Sequence, residues 1–162
     1  MAQDPLAAAP PSQPAALSPT SFLTEFLTQL APNSLVGLLD PSGATTIELT
    51  HTAGHRPLAL CFSALAPGPP FPCPTLITSA LALPLHPATV DALWCTALPP
   101  SFPDALRYLT ELYRVVRRSG IIALSLPHSI DHSELRTTLL KASWTPLHLG
   151  LDSDLLWATA LR

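Results

Sequence analysis

The chain has 162 residues, enough for one domain, of which 48% are hydrophobic and only 12% charged, with a formal net charge of −3. The charged share is about half of the roughly 25% usual in soluble proteins, so we expect some apolar surface to face a partner. The charge gives no electrostatic basis for binding nucleic acid. No apolar run reaches the ~18 residues of a membrane helix, so we expect no transmembrane segment.

The first twenty residues contain five prolines among alanine, serine and glutamine. Proline interrupts helices and sheets and little here can form a core, so we predict an extended or disordered tail over 1–20 and one α/β domain over 21–162. A tail that lies along a partner is the alternative. The tail is a poor signal peptide. We expect a cytoplasmic protein, and a location at a membrane through a partner stays open.

The next stretch predicts a helix, a strand and a second helix. Ser21–Leu30 places its apolar residues on one helical face, and Leu35–Leu39 is an apolar run typical of a buried strand. Asp40 and a short turn lead into a helix over Ala44–Ala53, which Gly54 ends. A strand, a turn and a helix in this order open nucleotide-type α/β folds, whose turn is usually rich in glycine.

The second predicted strand, Pro57–Phe62, is followed by an unusual connection. Ala64–Pro74 contains five prolines, which exclude the crossover helix expected between parallel strands. We therefore predict that the helix after strand two is missing. A short strand over Thr75–Ser79 and a proline-containing loop over Ala80–Thr89 come next.

The second half of the chain alternates strand and helix until its end. Alternating elements predict a mainly parallel sheet, and two final strands without a helix between them predict an antiparallel hairpin at the sheet edge. The predicted elements are a strand at Val90–Thr96, a helix at Phe102–Arg118 with three arginines in its last turns, a strand at Ile121–Leu126, a helix at Asp131–Ala142, and strands at Ser143–Leu149 and Asp154–Leu161.

Four stretches in this order resemble the class I S-adenosylmethionine-dependent methyltransferase fold over about Leu35–Arg162. They are LLDPSGATTIELTHTAGHRPLALCFS, ITSALALPLHPATVDALW, DALRYLTELYRVVRRSGIIALSLP and ELRTTLLKASWTPL. The resemblance implies a Rossmann-like sheet whose first turn, second strand and third strand contact the cofactor.

The sequence departs from the family where the cofactor would bind. The three loop glycines fall on Ser42, Ala44 and Thr46, and side chains there would crowd the methionine part of the cofactor. The acid that binds the ribose hydroxyls falls on Cys61, and the acid that reads the adenine falls on Ser79. Of this degenerate set, Asp40 is kept, and Gly43 allows the turn.

These departures predict a pseudoenzyme that is not an enzyme, with no catalytic residue and no cofactor. Its function would be that of a structural or accessory subunit among other protein subunits, and a membrane-bound complex is one option. The alternative is a divergent methyltransferase that binds S-adenosylmethionine differently, around Asp40, Gly43 and Asp91.

Three further features bear on ligands and partners. Glu48, His51 and His55 share a helix but lack a further acid or cysteine, so we predict no metal. The three cysteines fit neither a zinc motif nor a disulfide framework, and we expect reduced, mostly buried thiols. The lost helix and the low charge predict a protein-binding surface that includes Pro67, Pro69, Pro70, Phe71, Pro72, Arg114, Arg117 and Arg118.

Overall fold

The computed structural model describes residues 18–39, 41, 44–62, 71–99, 101–127, 129–152 and 155–162. Within these ranges no helix is long and apolar enough to cross a membrane. The helices are α1 (Pro19–Thr28), α2 (Ala44–Thr52), α3 (Phe102–Val115) and α4 (His132–Lys141). The strands are β1 (Leu35–Leu39), β2 (Arg56–Cys61), β3 (Thr75–Ile77), β4 (Val90–Cys95), β5 (Val116–Pro127), β6 (Thr145–Asp152) and β7 (Leu155–Leu161).

The seven strands form one sheet in the order β3-β2-β1-β4-β5-β7-β6. The first five strands run parallel, and β7 pairs antiparallel with both β5 and β6. This arrangement confirms the Rossmann-like sheet with a C-terminal antiparallel hairpin. The order of the strands reverses between β1 and β4, which makes this pair the topological switch point of the sheet.

Both faces of the sheet are covered, as a mainly parallel sheet requires. On one face α1 packs its phenylalanines onto the central strands, and the Phe22 ring lies 5.4 Å from the Trp94 ring and 5.5 Å from the Trp157 ring. The other face is covered by α3 and α4, whose Leu109, Leu112 and Leu139 share a cluster with β4 and β5. The sheet is therefore the middle layer of the domain.

The prediction that the helix after strand two is missing falls mainly on residues 63–70, which lie outside the described residues. The described part of that connection, 71–74, is not helical. Nor does the segment between β3 and β4 form a helix: residues 78–89 cross the α3 face as loop and turns, with Leu83 buried in the core. We call residues 78–89 the crossing loop.

An ion pair on α3 holds the crossing loop in place. Glu111 and Arg114 bind each other through two contacts, Nε to Oε2 at 2.8 Å and Nη2 to Oε1 at 2.6 Å. The backbone N–H of Leu83 donates to Glu111 Oε1 at 2.8 Å. The guanidinium of Arg114 donates to the carbonyl oxygens of Leu85 at 2.7 Å and Leu83 at 3.0 Å. The pair therefore satisfies backbone groups that a crossover helix would satisfy internally.

The predicted end of α3 is wrong by three residues. The helix ends at Val115, and Val116 is extended and pairs with Val90 of β4. Arg117 and Arg118 therefore belong to β5, not to the last turn of a helix. Pairing between two β-branched residues wins over the helical spacing here.

A second polar contact joins the amino ends of the central strands. Asp91 in β4 accepts the backbone N–H of Leu35 at 2.6 Å and pairs with Arg117 Nε at 2.9 Å. Next to this contact, Gly120 lies against the chain so closely that a Cβ would come within 2.7 Å of the Asp91 carbonyl oxygen. These contacts lie at the amino ends of β1 and β4, at the edge opposite their carboxyl ends.

Replacing Arg114 with alanine should destabilise the fold by about 2 kcal/mol, because charge-assisted hydrogen bonds to two carbonyl groups and one carboxylate are lost together. Chemical denaturation with urea measures this change. Arg118→Ala is the matched control, since Arg118 is exposed and makes no hydrogen bond or ion pair with the described residues, and it should shift stability by less than about 0.5 kcal/mol. Equal effects of the two variants would contradict the role of the ion pair.

Acidification should remove part of this stabilisation. The hydrogen bond from Arg114 lowers the pKa of Glu111 below its ordinary value of 4.5. A lowered carboxyl pKa contributes stability that is present above the ordinary value and is lost as the pH falls through the lowered one. Glu111→Gln should therefore flatten the fall in unfolding free energy below about pH 4.5, measured by urea titrations at several pH values. An unchanged slope in the variant would refute this linkage.

Candidate functional site

The candidate site is the crevice at the carboxyl ends of β1, β2 and β4. Ligands of open α/β sheets bind outside the carboxyl ends of the strands, at the switch point where the connections diverge to opposite sides. In this chain the switch point lies between Leu39 and Cys95, the last residues of β1 and β4, which are register partners. We call this place the switch-point crevice.

The first turn of α2 borders the switch-point crevice. Its side chains at two of the former glycine positions are Ala44, which is exposed, and Thr46, which is half-buried. The first backbone N–H groups of a helix have no partner inside the helix, so this turn offers hydrogen-bond donors. Asp40, Ser42 and Gly43 lie outside the described residues.

The ends of β2 and β3 present few polar groups for a ligand. Cys61 is only 2% exposed, and its backbone carbonyl accepts the N–H of Thr78 at 2.8 Å. Because Leu58 and Leu60 point into the cluster under α3, alternation places Cys61 on the opposite face of the sheet. Ser79 is exposed, and its hydroxyl accepts the N–H of Leu81 at 3.4 Å.

The thiol at the end of β4 is a buried, protonated group. Cys95 has no exposed surface, its Sγ donates to the carbonyl oxygen of Ala97 at 2.9 Å, and it lies 3.6 Å from the hydroxyl of Tyr108. Burial raises the pKa of this thiol to about 11. A thiol is a nucleophile only as the thiolate, so Cys95 is part of the core and not a reacting group.

A cavity of about 310 Å³ opens beside the switch-point crevice, at the carboxyl ends of β4 and β5. It lies between the first turns of α3 and α4. Its lining includes Thr96, Leu98, Ala105, Ile130, Glu134 and Leu135. No local pattern predicted this cavity, because its residues come from two loops and two helices that only the fold brings together.

The predicted residues do not all meet at this place. Asp91 is at the opposite edge of the sheet, where it binds Leu35 and Arg117, so it is not a cofactor contact. Of the predicted partner-binding arginines, Arg114 and Arg117 have partners within the chain, and Arg118 is exposed. Phe71 is half-buried and Pro72 exposed, while Pro67, Pro69 and Pro70 lie outside the described residues.

The three residues considered as metal ligands do not converge. His55 is buried and its Nε2 lies 3.0 Å from the carbonyl oxygen of Leu27, at the end of α1. Across the part of the chain that the structure describes, no three histidine, cysteine or acidic residues cluster closely enough for a metal ion. The absence of a metal stays a prediction.

The described residues could hold S-adenosylmethionine through backbone groups, but they lack carboxylate contacts at Cys61 and Ser79. Ala44 and Thr46 are small, and the N–H groups of the first turn of α2 have no partner within the helix. The thiol of Cys61 cannot accept two hydrogen bonds from ribose hydroxyls as a carboxylate can. A cofactor in this crevice would therefore be held mainly by backbone groups and shape.

Comparison with known proteins places the fold. A family model described as a methyltransferase domain matches residues 55–124. No curated protein sequence matches the chain. The chain has the class I S-adenosylmethionine-dependent methyltransferase fold.

Three solved structures illustrate the likeness. One is the 1,6-didemethyltoxoflavin-N1-methyltransferase of Burkholderia thailandensis with 1,6-didemethyltoxoflavin and S-adenosylhomocysteine bound. It superposes with a TM-score of 0.71 at 18% identity, and the match covers 88% of this chain and 77% of that one. A second is a putative methyltransferase in complex with the Haloferax volcanii Trm112 methyltransferase activator. Its TM-score is 0.68 at 17% identity, and the match covers 86% of this chain and 89% of that one. A third is a methyltransferase of Methanosarcina mazei. Its TM-score is 0.70 at 12% identity, and the match covers 91% of this chain and 98% of that one.

These findings correct two predictions. The expectation that the chain is not an enzyme is wrong, because the matching family model and the structural neighbours are methyltransferases. The expectation of no cofactor is wrong for the same reason, since the Burkholderia neighbour was crystallised with S-adenosylhomocysteine. The replaced glycines and acids led to both errors, because loss of side-chain contacts was equated with loss of the cofactor.

The thiols should differ in reactivity. Iodoacetamide at pH 8 should modify Cys73, which is half-buried, well before Cys61 and Cys95, which are buried. Mass spectrometry of peptides after timed labelling measures the order, and labelling in guanidinium chloride should modify all three. Fast modification of Cys95 in the native protein would contradict its place in the core.

Proposed function

We propose that this protein is a divergent class I methyltransferase that binds S-adenosylmethionine in the switch-point crevice. Support comes first from the reversal of strand order between β1 and β4, which opens a ligand crevice at the carboxyl ends of these strands. Further support comes from the match of residues 55–124 to a methyltransferase domain and from the neighbour that contains S-adenosylhomocysteine.

The residues proposed to hold the cofactor are few. Backbone N–H groups at Ala44 and Thr46 would bind its polar end, the exposed Ser79 would face its adenine, and Thr96 follows β4 at the crevice. Asp40, outside the described residues, is proposed to contact the cofactor from the end of β1. When bound, S-adenosylmethionine supplies an electrophilic methyl group.

The same site explains why binding should be weak. A carboxylate at the end of β2 would add charge-assisted hydrogen bonds, each of which contributes about 1.5–3 kcal/mol. Cys61 contributes none of these to a ribose. We therefore place this chain among methyltransferases that depend on a high cofactor concentration or on further contacts from a partner.

Isothermal titration of the full chain with S-adenosylmethionine and with S-adenosylhomocysteine tests the proposal. We expect saturable one-to-one binding, which the variant Thr46→Trp abolishes by filling the first turn of α2. Leu140→Gln, an exposed change on α4, is the control and should bind as the unmodified protein does. Heats that do not saturate at millimolar cofactor would overturn the proposal.

Cys61→Asp should strengthen cofactor binding by about tenfold or more, because a carboxylate accepts both ribose hydroxyls. Titration calorimetry of Cys61→Asp and Cys61→Ser measures the difference, and the serine variant should show no such gain. Thermal unfolding with and without cofactor shows whether the buried carboxylate is tolerated. Equal affinity in both folded variants would mean that the ribose is bound elsewhere.

We also propose that the enzyme works with a protein partner as a subunit of a larger assembly. The low charge supports this, as does Ile77 on the edge strand β3, whose side chain is 62% exposed. The neighbour from Haloferax volcanii was solved with an activator protein. Native affinity purification at natural abundance tests it, and recovery of the chain as a lone monomer would refute it. The same proposal includes a role for the exposed Arg118 in binding the partner. The same purification would identify the partner and show whether it is a membrane protein.

A further inference from the structure

The cavity between α3 and α4 has the size and chemistry of a small-molecule site. Its volume of about 310 Å³ falls at the lower end of the roughly 300–1,000 Å³ found for ligand pockets. We call it the α3–α4 pocket. Leu98, Pro99, Ala105, Ile130 and Leu135 make most of its wall apolar. Such a wall fits a compact apolar body such as an aromatic ring.

The polar groups of the pocket are mostly engaged already. Thr138 donates its hydroxyl to the carbonyl oxygen of Glu134 at 2.7 Å. At the start of α3, Ser101 accepts the N–H of Asp104 at 3.4 Å. At the start of α4, Asp131 accepts the N–H groups of Ser133 and Glu134, both at 2.9 Å.

These caps bear on the charge of the ligand. A helix N-terminus usually attracts anions through its free N–H groups. Here side chains take such donors at both helix starts, and Asp104 and Asp131 add negative charge beside them. Among the residues that the structure describes, no lysine, arginine or histidine lines the α3–α4 pocket. An anionic ligand would therefore meet no positively charged partner among these residues.

Among the described residues that line the pocket, only Glu134 carries a charge, and this residue is exposed at the pocket's rim. Its carboxylate makes no hydrogen bond or ion pair with any described residue, although its backbone groups are bonded. An unpaired carboxylate beside an apolar wall favours a ligand with an apolar body and a positively charged head. Such a ligand is a small organic amine, which is protonated at neutral pH.

We propose that the α3–α4 pocket binds a small organic amine, with its apolar body among Leu98, Ala105 and Leu135 and its ammonium group on Glu134. Thr96 lines the pocket and also follows β4 at the switch-point crevice, so the two sites adjoin. The assignment of this amine as the methyl acceptor rests on the proposed function. The binding of the amine does not.

Three probes of similar size and different charge test the proposal: 2-phenylethylamine, 2-phenylethanol and phenylacetate. Saturation-transfer NMR and titration with the full chain give their affinities. We expect the amine to bind about fivefold more tightly than the alcohol at low salt, and the anion to bind least. Raising the salt to 1 M should reduce the preference for the amine. Equal binding of amine and anion would overturn the proposal.

Two variants and a control locate the site. Glu134→Gln keeps the length of the side chain and suits the third helical position, so α4 should remain folded. It should weaken the amine about fivefold and leave the alcohol unchanged. Ala105→Leu should reduce binding of both by filling the pocket. Glu48→Gln, an exposed change on α2, should alter neither.

The outcomes separate this proposal from the proposed function. Loss of amine selectivity in Glu134→Gln, with unfolding temperature unchanged, supports the pocket. Retained selectivity in that folded variant refutes it. Amine binding without any binding of S-adenosylmethionine would support the pocket and refute the methyltransferase function. Binding of S-adenosylmethionine without binding of any of the three probes would refute the pocket and support the methyltransferase function.

Discussion

The ion pair between Glu111 and Arg114 is the contact on which this version of the fold depends. A parallel sheet needs cover on both faces, and between β3 and β4 the chain supplies a loop where a helix would satisfy its own backbone. One bidentate pair, backed by three hydrogen bonds to the crossing loop, replaces that helix. Leu83 can then be buried although its neighbours form no regular structure.

The composition explains why so few contacts do this work. In a chain with 12% charged residues, most of the surface and nearly all of the core is apolar. A small number of polar side chains must then make the hydrogen bonds and ion pairs that orient neighbouring segments. They lie at the start of β4, along α3 and in β5, and are Asp91, Glu111, Arg114 and Arg117. These contacts hold the crossing loop against α3 and join the amino ends of the two central strands.

The fold was predictable from the sequence because local patterns and topology agreed. Apolar runs such as Leu35–Leu39 and Val90–Thr96 predicted the buried strands, and a final pair of strands without a helix predicted the hairpin. The end of α3 was not predictable, because Val116 leaves the helix only to pair with Val90 of a distant strand. Element ends that depend on tertiary pairing carry no local signal.

The site was harder to predict than the fold. The resemblance pointed to four positions that differ from the family, namely Ala44, Thr46, Cys61 and Ser79. Whether a cofactor still binds there could not be predicted, since an absent side-chain contact says nothing about backbone contacts. The α3–α4 pocket was missed because Glu134 reads as an ordinary first-turn acid of a helix. Only the proximity of α3 and α4 gives that carboxylate an apolar wall beside it.

The contact of Asp91 with Leu35 and Arg117 has a consequence for how this chain can change over generations. It ties the central strands together at their amino ends, at the edge opposite the switch-point crevice. At the carboxyl ends, backbone pairing up to Leu39 and Cys95 holds the same two strands together. Side chains beyond those ends can then change while the sheet persists. The sheet can therefore keep its structure while the residues beyond the carboxyl ends of its strands acquire a new chemistry.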